Sequence, residues 1–180
     1  MNILQKKMND VILPKIKDEF GIKNVMSLPR LSKICLNQGL GQYHSEVKTI
    51  EHCNDELTLI SGQKSVITYA RKSEAGFKIR EGMPVGARVT LRKDRMWNFL
   101  DRFINIASPR IRDFRGFSRK GFDARGNFSI GISEQSIFVE VDLDKLVTTQ
   151  GMNITLVFEN SSPEMSIRII EEMSFPLEKN

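Results

Sequence analysis

A pair of glycines is the first feature of this sequence that suggests chemistry, because glycine-rich loops cradle phosphate groups. Gly39 and Gly41 form a GxG pattern. A dinucleotide-binding loop needs a third glycine at position 44, where this chain has His44. No GxxxxGKS/T sequence is present, so a phosphate-binding loop of the ATPase type is also excluded. The pair therefore predicts a turn at the end of a strand, and no nucleotide cofactor is expected.

Histidines and cysteines could in principle form a metal site. His44 and His52 are eight residues apart, and Cys35 and Cys53 lie nearby in the sequence. This spacing matches no zinc motif, and a CxxC pair is lacking. We therefore expect no metal, and we interpret the cysteines as reduced thiols in a cytosol-like compartment.

Asp142 and Asp144 resemble the paired carboxylates of metal-dependent nucleases. They lie in an acidic part of the chain, which favours a role in a turn or at the start of a helix. The sequence also has no nucleophile elbow of the GxSxG type. These observations favour a protein that is not an enzyme.

Charge is unevenly distributed along the chain. Residues 64–125, here called the cationic stretch, contain 16 basic and 6 acidic residues, whereas residues 126–180 contain 3 basic and 9 acidic residues. The excess positive charge of the cationic stretch attracts polyanions, and it predicts binding that weakens as the salt concentration rises. A solvated charged face is the simpler alternative. A membrane-surface helix is disfavoured because the basic residues are spread over several predicted elements.

The composition of the cationic stretch favours RNA. It contains eleven Arg and five Lys, and Arg both bonds phosphates in a bidentate manner and stacks on bases. Four phenylalanines are interleaved with these arginines: Phe77, Phe114, Phe117 and Phe122. These rings could stack on bases or anchor loops to the core, and the sequence leaves both possibilities open.

Apolar periodicity predicts four helices, over residues 3–20, 46–61, 94–107 and 162–173. Pro14 is expected to kink or split the first helix, and Asp94 is expected to cap the third. Strands are predicted over residues 30–40, 65–69, 85–91, 127–132, 137–141 and 152–158. The interleaved elements predict one α+β domain over residues 1–180, with a mostly antiparallel sheet, helices packed on one face and a long basic loop at 71–84.

Long segments of the chain match a known pattern. They are AGFKIREGMPVGARVTLR at 75–92, PRIRDFRG at 109–116 and GNFSIGISEQ at 126–135, with NVM at 24–26, PRL at 29–31, ISGQK at 60–64 and FP at 175–176. Together these segments closely resemble the bacterial-type large-subunit ribosomal protein L-five family. The resemblance covers about residues 1–176.

The resemblance implies a structural protein of the central protuberance of the large ribosomal subunit, in the cytoplasm or in an organelle. It implies binding to 5S rRNA and docking of that RNA onto the large-subunit rRNA. It also implies contact with the elbow of the P-site tRNA, a bridge to a protein of the small-subunit head, and neighbouring 5S-binding ribosomal proteins as partners. No cofactor is implied.

The resemblance also implies roles for particular residues. Those matching the family's rRNA-binding positions are Asn37, Gln63 and Thr90, with Arg92 beside them. Those in the loop expected to approach tRNA are Lys72, Lys78 and Arg80. Those expected near the intersubunit bridge are Arg110, Arg112 and Arg115. The alternative function is a free RNA chaperone or regulator that binds single-stranded RNA through Arg and Phe, which would bind a random RNA as tightly as 5S rRNA.

Overall fold

The computed structural model describes residues 2–178, which form two compact units. One, here called the central unit, comprises Cys35–Leu91 and Gly131–Ile154. The other, here called the terminal unit, comprises the described residues up to Ile34, Arg92–Ile130 and those from Thr155 onward. The cationic stretch therefore contributes to both units.

Five strands form one sheet in the order β2-β3-β1-β5-β4. They are β1 Arg30–Gly39, β2 Val66–Tyr69, β3 Pro84–Leu91, β4 Phe128–Ile132 and β5 Met152–Glu159. Strands β2 and β3 run antiparallel, with Val66 opposite Arg88 and Thr68 opposite Gly86. The predicted α+β class with a mostly antiparallel sheet is confirmed.

The N-terminal helical segment consists of α1, Ile3–Lys7, and α2, Leu13–Glu19, joined by a π-helical turn at Met8–Ile12. The Leu13 N–H donates to the Met8 carbonyl, five residues back, so one residue is inserted into the helical register just before Pro14. The chain stays helical through Pro14, whose effect is this local turn. The buried face of this N-terminal helical segment contains Leu4, Met8, Ile12 and Ile16.

The remaining helices are α3 Val47–Ser61, α4 Lys93–Arg102 and α5 Pro163–Glu172. Gly62 ends α3 in a left-handed conformation with φ of +67°. Ser162 caps α5 by accepting a hydrogen bond from the Met165 N–H. None of the helices in residues 2–178 has the length and apolar character that crossing a membrane requires.

The predicted cap at Asp94 is wrong. Helix α4 begins at Lys93, and Arg92 is its N-terminal flanking residue without a side-chain cap bond. Asp94 lies in the first turn, where its negative charge complements the positive end of the helix.

The predicted strand over residues 137–141 is also wrong. The chain forms a 3₁₀ turn at Gln135–Ile137, followed by turns in which the Phe138 N–H donates to the Gln135 carbonyl and the Val141 N–H to the Phe138 carbonyl. Ile137, Phe138 and Val141 are buried, whereas Val139 is exposed. An alternation of apolar residues at 137, 139 and 141 is typical of a strand, in which these side chains would share one face. The observed burial does not follow this alternation.

Candidate RNA-binding surface

Gln63 and Thr90, two of the predicted rRNA-binding residues, are neighbours in the central unit. Gln63 follows the end of α3, and its Nε2 donates to the Thr90 carbonyl in β3 at 3.3 Å. The Thr90 hydroxyl lies 3.9 Å from the Cys35 sulfur. Because a thiol is a weak hydrogen-bonding group, this hydroxyl keeps the capacity to bond a further partner.

Asn37 lies on the same face of the sheet as Thr90. In β1 the buried residues Ile34 and Leu36 alternate with the outward residues Cys35 and Asn37. Side chains two residues apart share a face, so the contact between Cys35 and Thr90 puts Asn37 on the same side, about 7 Å further along β1. We call Cys35, Asn37, Gln63 and Thr90 the polar sheet face; Asn37 is its most exposed member.

Cations border the polar sheet face. Arg88 is exposed and precedes Thr90 by two residues in β3, so it shares the face of that strand. Lys64 follows Gln63 and is exposed. Arg88 was not among the residues predicted from the sequence, although strand alternation around Thr90 indicates it. Arg92 is exposed in extended backbone before α4, and it belongs to the terminal unit.

The basic loop after β2 is a short hairpin extension. The Ala70 N–H donates to the Met83 carbonyl at 2.8 Å, and Glu74 and Ile79 exchange two backbone hydrogen bonds. The tip is a 3₁₀ turn at Ala75–Phe77, and Lys78 follows it with φ of +55°. The predicted tRNA-facing residues Lys72, Lys78 and Arg80 are all exposed on this loop.

The segment of residues 110–122, here called the basic segment, presents most of its cations to solvent. Arg110, Arg112, Arg115 and Lys120 are exposed. Arg119 differs, because its guanidinium lies 2.8 Å from the Glu171 carboxylate. The three arginines predicted near the intersubunit bridge are therefore available to a partner, while Arg119 is held by its own chain.

The four phenylalanines of the cationic stretch divide into two classes. The Phe114 and Phe117 rings lie 4.9 Å apart, and Phe122 stacks on Phe128 at 4.3 Å. These rings anchor loops to the core. Phe77 is 74% exposed at the tip of the loop after β2, so it is the one of the four with a face available for base stacking.

A buried polar network in the central unit was not found from the sequence. Gln135 is fully buried, and its Nε2 donates to the Thr148 carbonyl at 2.7 Å and to the Glu56 carboxylate at 3.3 Å, while its Oε1 accepts from the Gln150 N–H. Burial raises the pKa of Glu56, opposed by the Gln135 bond and by His52. The His52 Nδ1 is 3.3 Å from Glu56 without forming a hydrogen bond.

The two cysteines each contact a different threonine hydroxyl. The Cys35 thiol contacts Thr90, whereas the Cys53 thiol lies 3.8 Å from the Thr148 hydroxyl, and burial raises its pKa. Within residues 2–178, no three His, Cys, Asp or Glu side chains form a group suited to a metal ion. Asp142 accepts a hydrogen bond from the Asp144 N–H at the start of a 3₁₀ turn, which confirms the predicted turn role.

Two family models match this chain. The model for the C-terminus of the ribosomal L5 protein family matches residues 84–177, and the model for ribosomal protein L5 matches residues 24–80. The polar sheet face and the loop after β2 as far as Arg80 lie within the matched ranges.

Curated relatives match nearly the full length. The large ribosomal subunit protein uL5 of Alkalilimnicola ehrlichii is 48% identical over 176 residues, which is 98% of each chain. The proteins of the same name from Desulfatibacillum aliphaticivorans and Colwellia psychrerythraea are also 48% identical, over 99% and 94% of this chain and 100% and 94% of theirs.

Proposed function

Because this chain belongs to the ribosomal protein L5 family, and is thus a structural, rRNA-binding component of the large ribosomal subunit, we propose that its specific ligand is 5S rRNA. In this proposal the polar sheet face recognises the RNA, and the whole chain acts as a single rRNA-binding domain. Bound 5S rRNA is thereby linked to the large-subunit rRNA in the central protuberance, beside other 5S-binding ribosomal proteins.

The bond between Gln63 and Thr90 carries this proposal. It holds the Gln63 amide against β3, so the Gln63 side chain can meet RNA with less loss of freedom on binding. Amide and hydroxyl groups suit the 2′-hydroxyls and base edges of RNA, which a purely cationic surface does not distinguish. Arg88, Lys64 and Arg92 supply phosphate contacts that orient the RNA without specifying its sequence.

Two further contacts follow from the basic loops. We propose that the hairpin extension after β2 approaches P-site tRNA, with Phe77 stacking at its tip and Lys72, Lys78 and Arg80 facing phosphates. We also propose that the basic segment meets a protein of the small-subunit head. Its exposed arginines, Arg110, Arg112 and Arg115, suit an acidic surface or a carboxylate-bearing loop.

Binding of purified protein to 5S rRNA tests the recognition proposal. The triple variant N37A/Q63A/T90A should lose preference for 5S rRNA over a random RNA of equal length, because it retains the cations but lacks the recognising groups. The control variant Q42A/T149A/N105A removes the same three residue types from positions outside the strands of the sheet, and it should bind like the wild type. If the first variant keeps its preference, the site assignment is wrong.

Affinity for random RNA separates the proposal from the alternative function. A free RNA chaperone would bind 5S rRNA and random RNA equally before any substitution is made. Sedimentation with large ribosomal subunits, followed by identification of the bound RNA, addresses the same question in cell extract. Recovery with bulk RNA alone would favour the chaperone.

A further inference from the structure

The chain beyond α5 turns back along the basic segment. The Phe117 N–H donates to the Pro176 carbonyl at 2.9 Å, and the Glu178 N–H donates to the Phe117 carbonyl at 3.0 Å. Phe117 and Leu177 thus form an isolated parallel β-bridge. A segment that otherwise has few backbone partners is joined to the C-terminal residues at its centre.

Gly116 makes this close approach possible. Its φ is +114°, which side-chain-bearing residues rarely adopt. A Cβ at this position would lie 2.5 Å from the Glu178 nitrogen and 2.7 Å from the Leu177 carbonyl carbon. Both atoms belong to backbone, so the C-terminal residues would have to move away.

Side chains reinforce the backbone bridge. The Phe175 ring is buried and lies 5.5 Å from Phe117 and 5.8 Å from Phe103. Arg119 contacts both α5 and the residues after it: its guanidinium pairs with Glu171 at 2.8 Å, and its Nε donates to the Glu178 carbonyl at 3.4 Å. Backbone bonds, aromatic packing and an ion pair therefore act on the same few residues.

We infer that the C-terminal residues Phe175–Glu178 are a clasp that fixes the shape of the basic segment before its partner binds. The clasp holds Phe117 and Arg119, whereas Arg110, Arg112 and Arg115 stay exposed. A fixed segment avoids the entropy loss of ordering on binding. The existence of the clasp does not depend on the partner; its effect on association rests on the proposed contact with the small-subunit head.

Two variants release the clasp by different routes. A chain ended after Phe175 keeps the buried ring but lacks the backbone partners of Phe117. The substitution Gly116→Ala places a Cβ against the C-terminal backbone. Gly21→Ala is the matched control, because Gly21 also has positive φ, +62°, but open space around it. The control carries the strain of the substitution without disturbing the clasp.

Amide hydrogen exchange of the purified full-length proteins and of the shortened chain tests the clasp. Exchange at Phe117 should be about tenfold faster or more in both release variants, while Gly21→Ala leaves it unchanged and exchange in β5 stays slow in all of them. If the shortened chain folds and its Phe117 amide exchanges at the wild-type rate, the clasp is refuted. This holds even if Gly116→Ala fails to fold.

Association with isolated small ribosomal subunits tests the effect of the clasp on partner binding. Release should leave the charges, and hence the salt-dependent association rate, nearly unchanged, while dissociation becomes faster because contacts with the partner alone then hold the segment in its bound shape. Faster exchange without faster dissociation would support the clasp and refute the proposed bridge contact. Unchanged exchange with normal association would refute the clasp alone.

Discussion

The substitution Thr90→Val isolates one hydroxyl of the polar sheet face. Valine has nearly the same shape and also favours strands, so β3 should persist. The hydroxyl has one side-chain contact in the central unit, with the Cys35 sulfur at 3.9 Å, so its removal should change the free energy of unfolding by under about 0.5 kcal/mol. Its loss from a complex with RNA should matter more.

The expected effect on RNA affinity follows from one missing hydrogen bond. Such a bond contributes about 0.5–1.5 kcal/mol, and an unpaired RNA group left in the contact raises the cost toward about 2 kcal/mol. The dissociation constant for 5S rRNA should therefore rise roughly 3- to 30-fold. Binding to random RNA should not change, because phosphate contacts dominate it.

Filter binding or calorimetry at one fixed salt concentration measures this effect. Thr90→Ser keeps the hydroxyl and should bind within about twofold of the wild type. Thr149→Val removes a hydroxyl from an exposed loop and should have no effect. The reasoning is refuted if Thr90→Val binds 5S rRNA as the wild type does, or if the serine variant loses as much affinity as the valine variant.

Three further predictions concern the basic loop and the buried network. Changing Lys72, Lys78 and Arg80 to Gln should reduce the magnitude of the slope of log affinity for tRNA against log salt concentration by about 2–3. An unchanged slope would show that these residues do not contact tRNA phosphates. Gln135→Leu should lower the free energy of unfolding by roughly 3 kcal/mol or more in urea titrations, because two buried groups and one part-buried group lose their partner. Folding raises the pKa of Glu56, so the free energy of unfolding of the wild type should fall as the pH rises from the pKa of Glu56 in the unfolded chain through its pKa in the folded protein. The variant Glu56→Gln should lack this fall. Parallel pH profiles of the two proteins would contradict the prediction.

Local sequence patterns predicted most elements of the fold because the elements bury regular faces. The apolar set on α4 and the turn after it is an example, since Met96, Trp97, Leu100 and Phe103 are all buried at helical spacing. The strand wrongly predicted at 137–141 had an equally regular pattern. Its conformation depends on Gln135, whose side chain bonds to residues 13 and 15 positions away, and no local pattern contains that information.

The residues proposed for the candidate site came from the sequence, whereas their relative geometry did not. Asn37 and Thr90 were correctly expected on strands. Their proximity to Gln63 depends on which strands pair and in which register, and the bond from Gln63 to Thr90 spans 27 positions. For the same reason the sequence could not distinguish Phe77 from Phe117, because the difference lies in whether the Phe175 ring, 58 positions beyond Phe117, packs against it.

Charge counting treats all cations of the stretch alike, and at long range this is correct, because attraction of a polyanion depends on summed charge. At contact the cations differ. Arg119 bonds a carboxylate of its own chain, so its substitution should disturb the basic segment itself, whereas substitution of the exposed Arg112 should weaken only what binds there. The proposed preference for 5S rRNA must come from groups whose bonds have direction. In the proposed function, net charge therefore determines how strongly this protein attracts RNA, and the amide of Gln63 and the hydroxyl of Thr90 select the RNA that it retains.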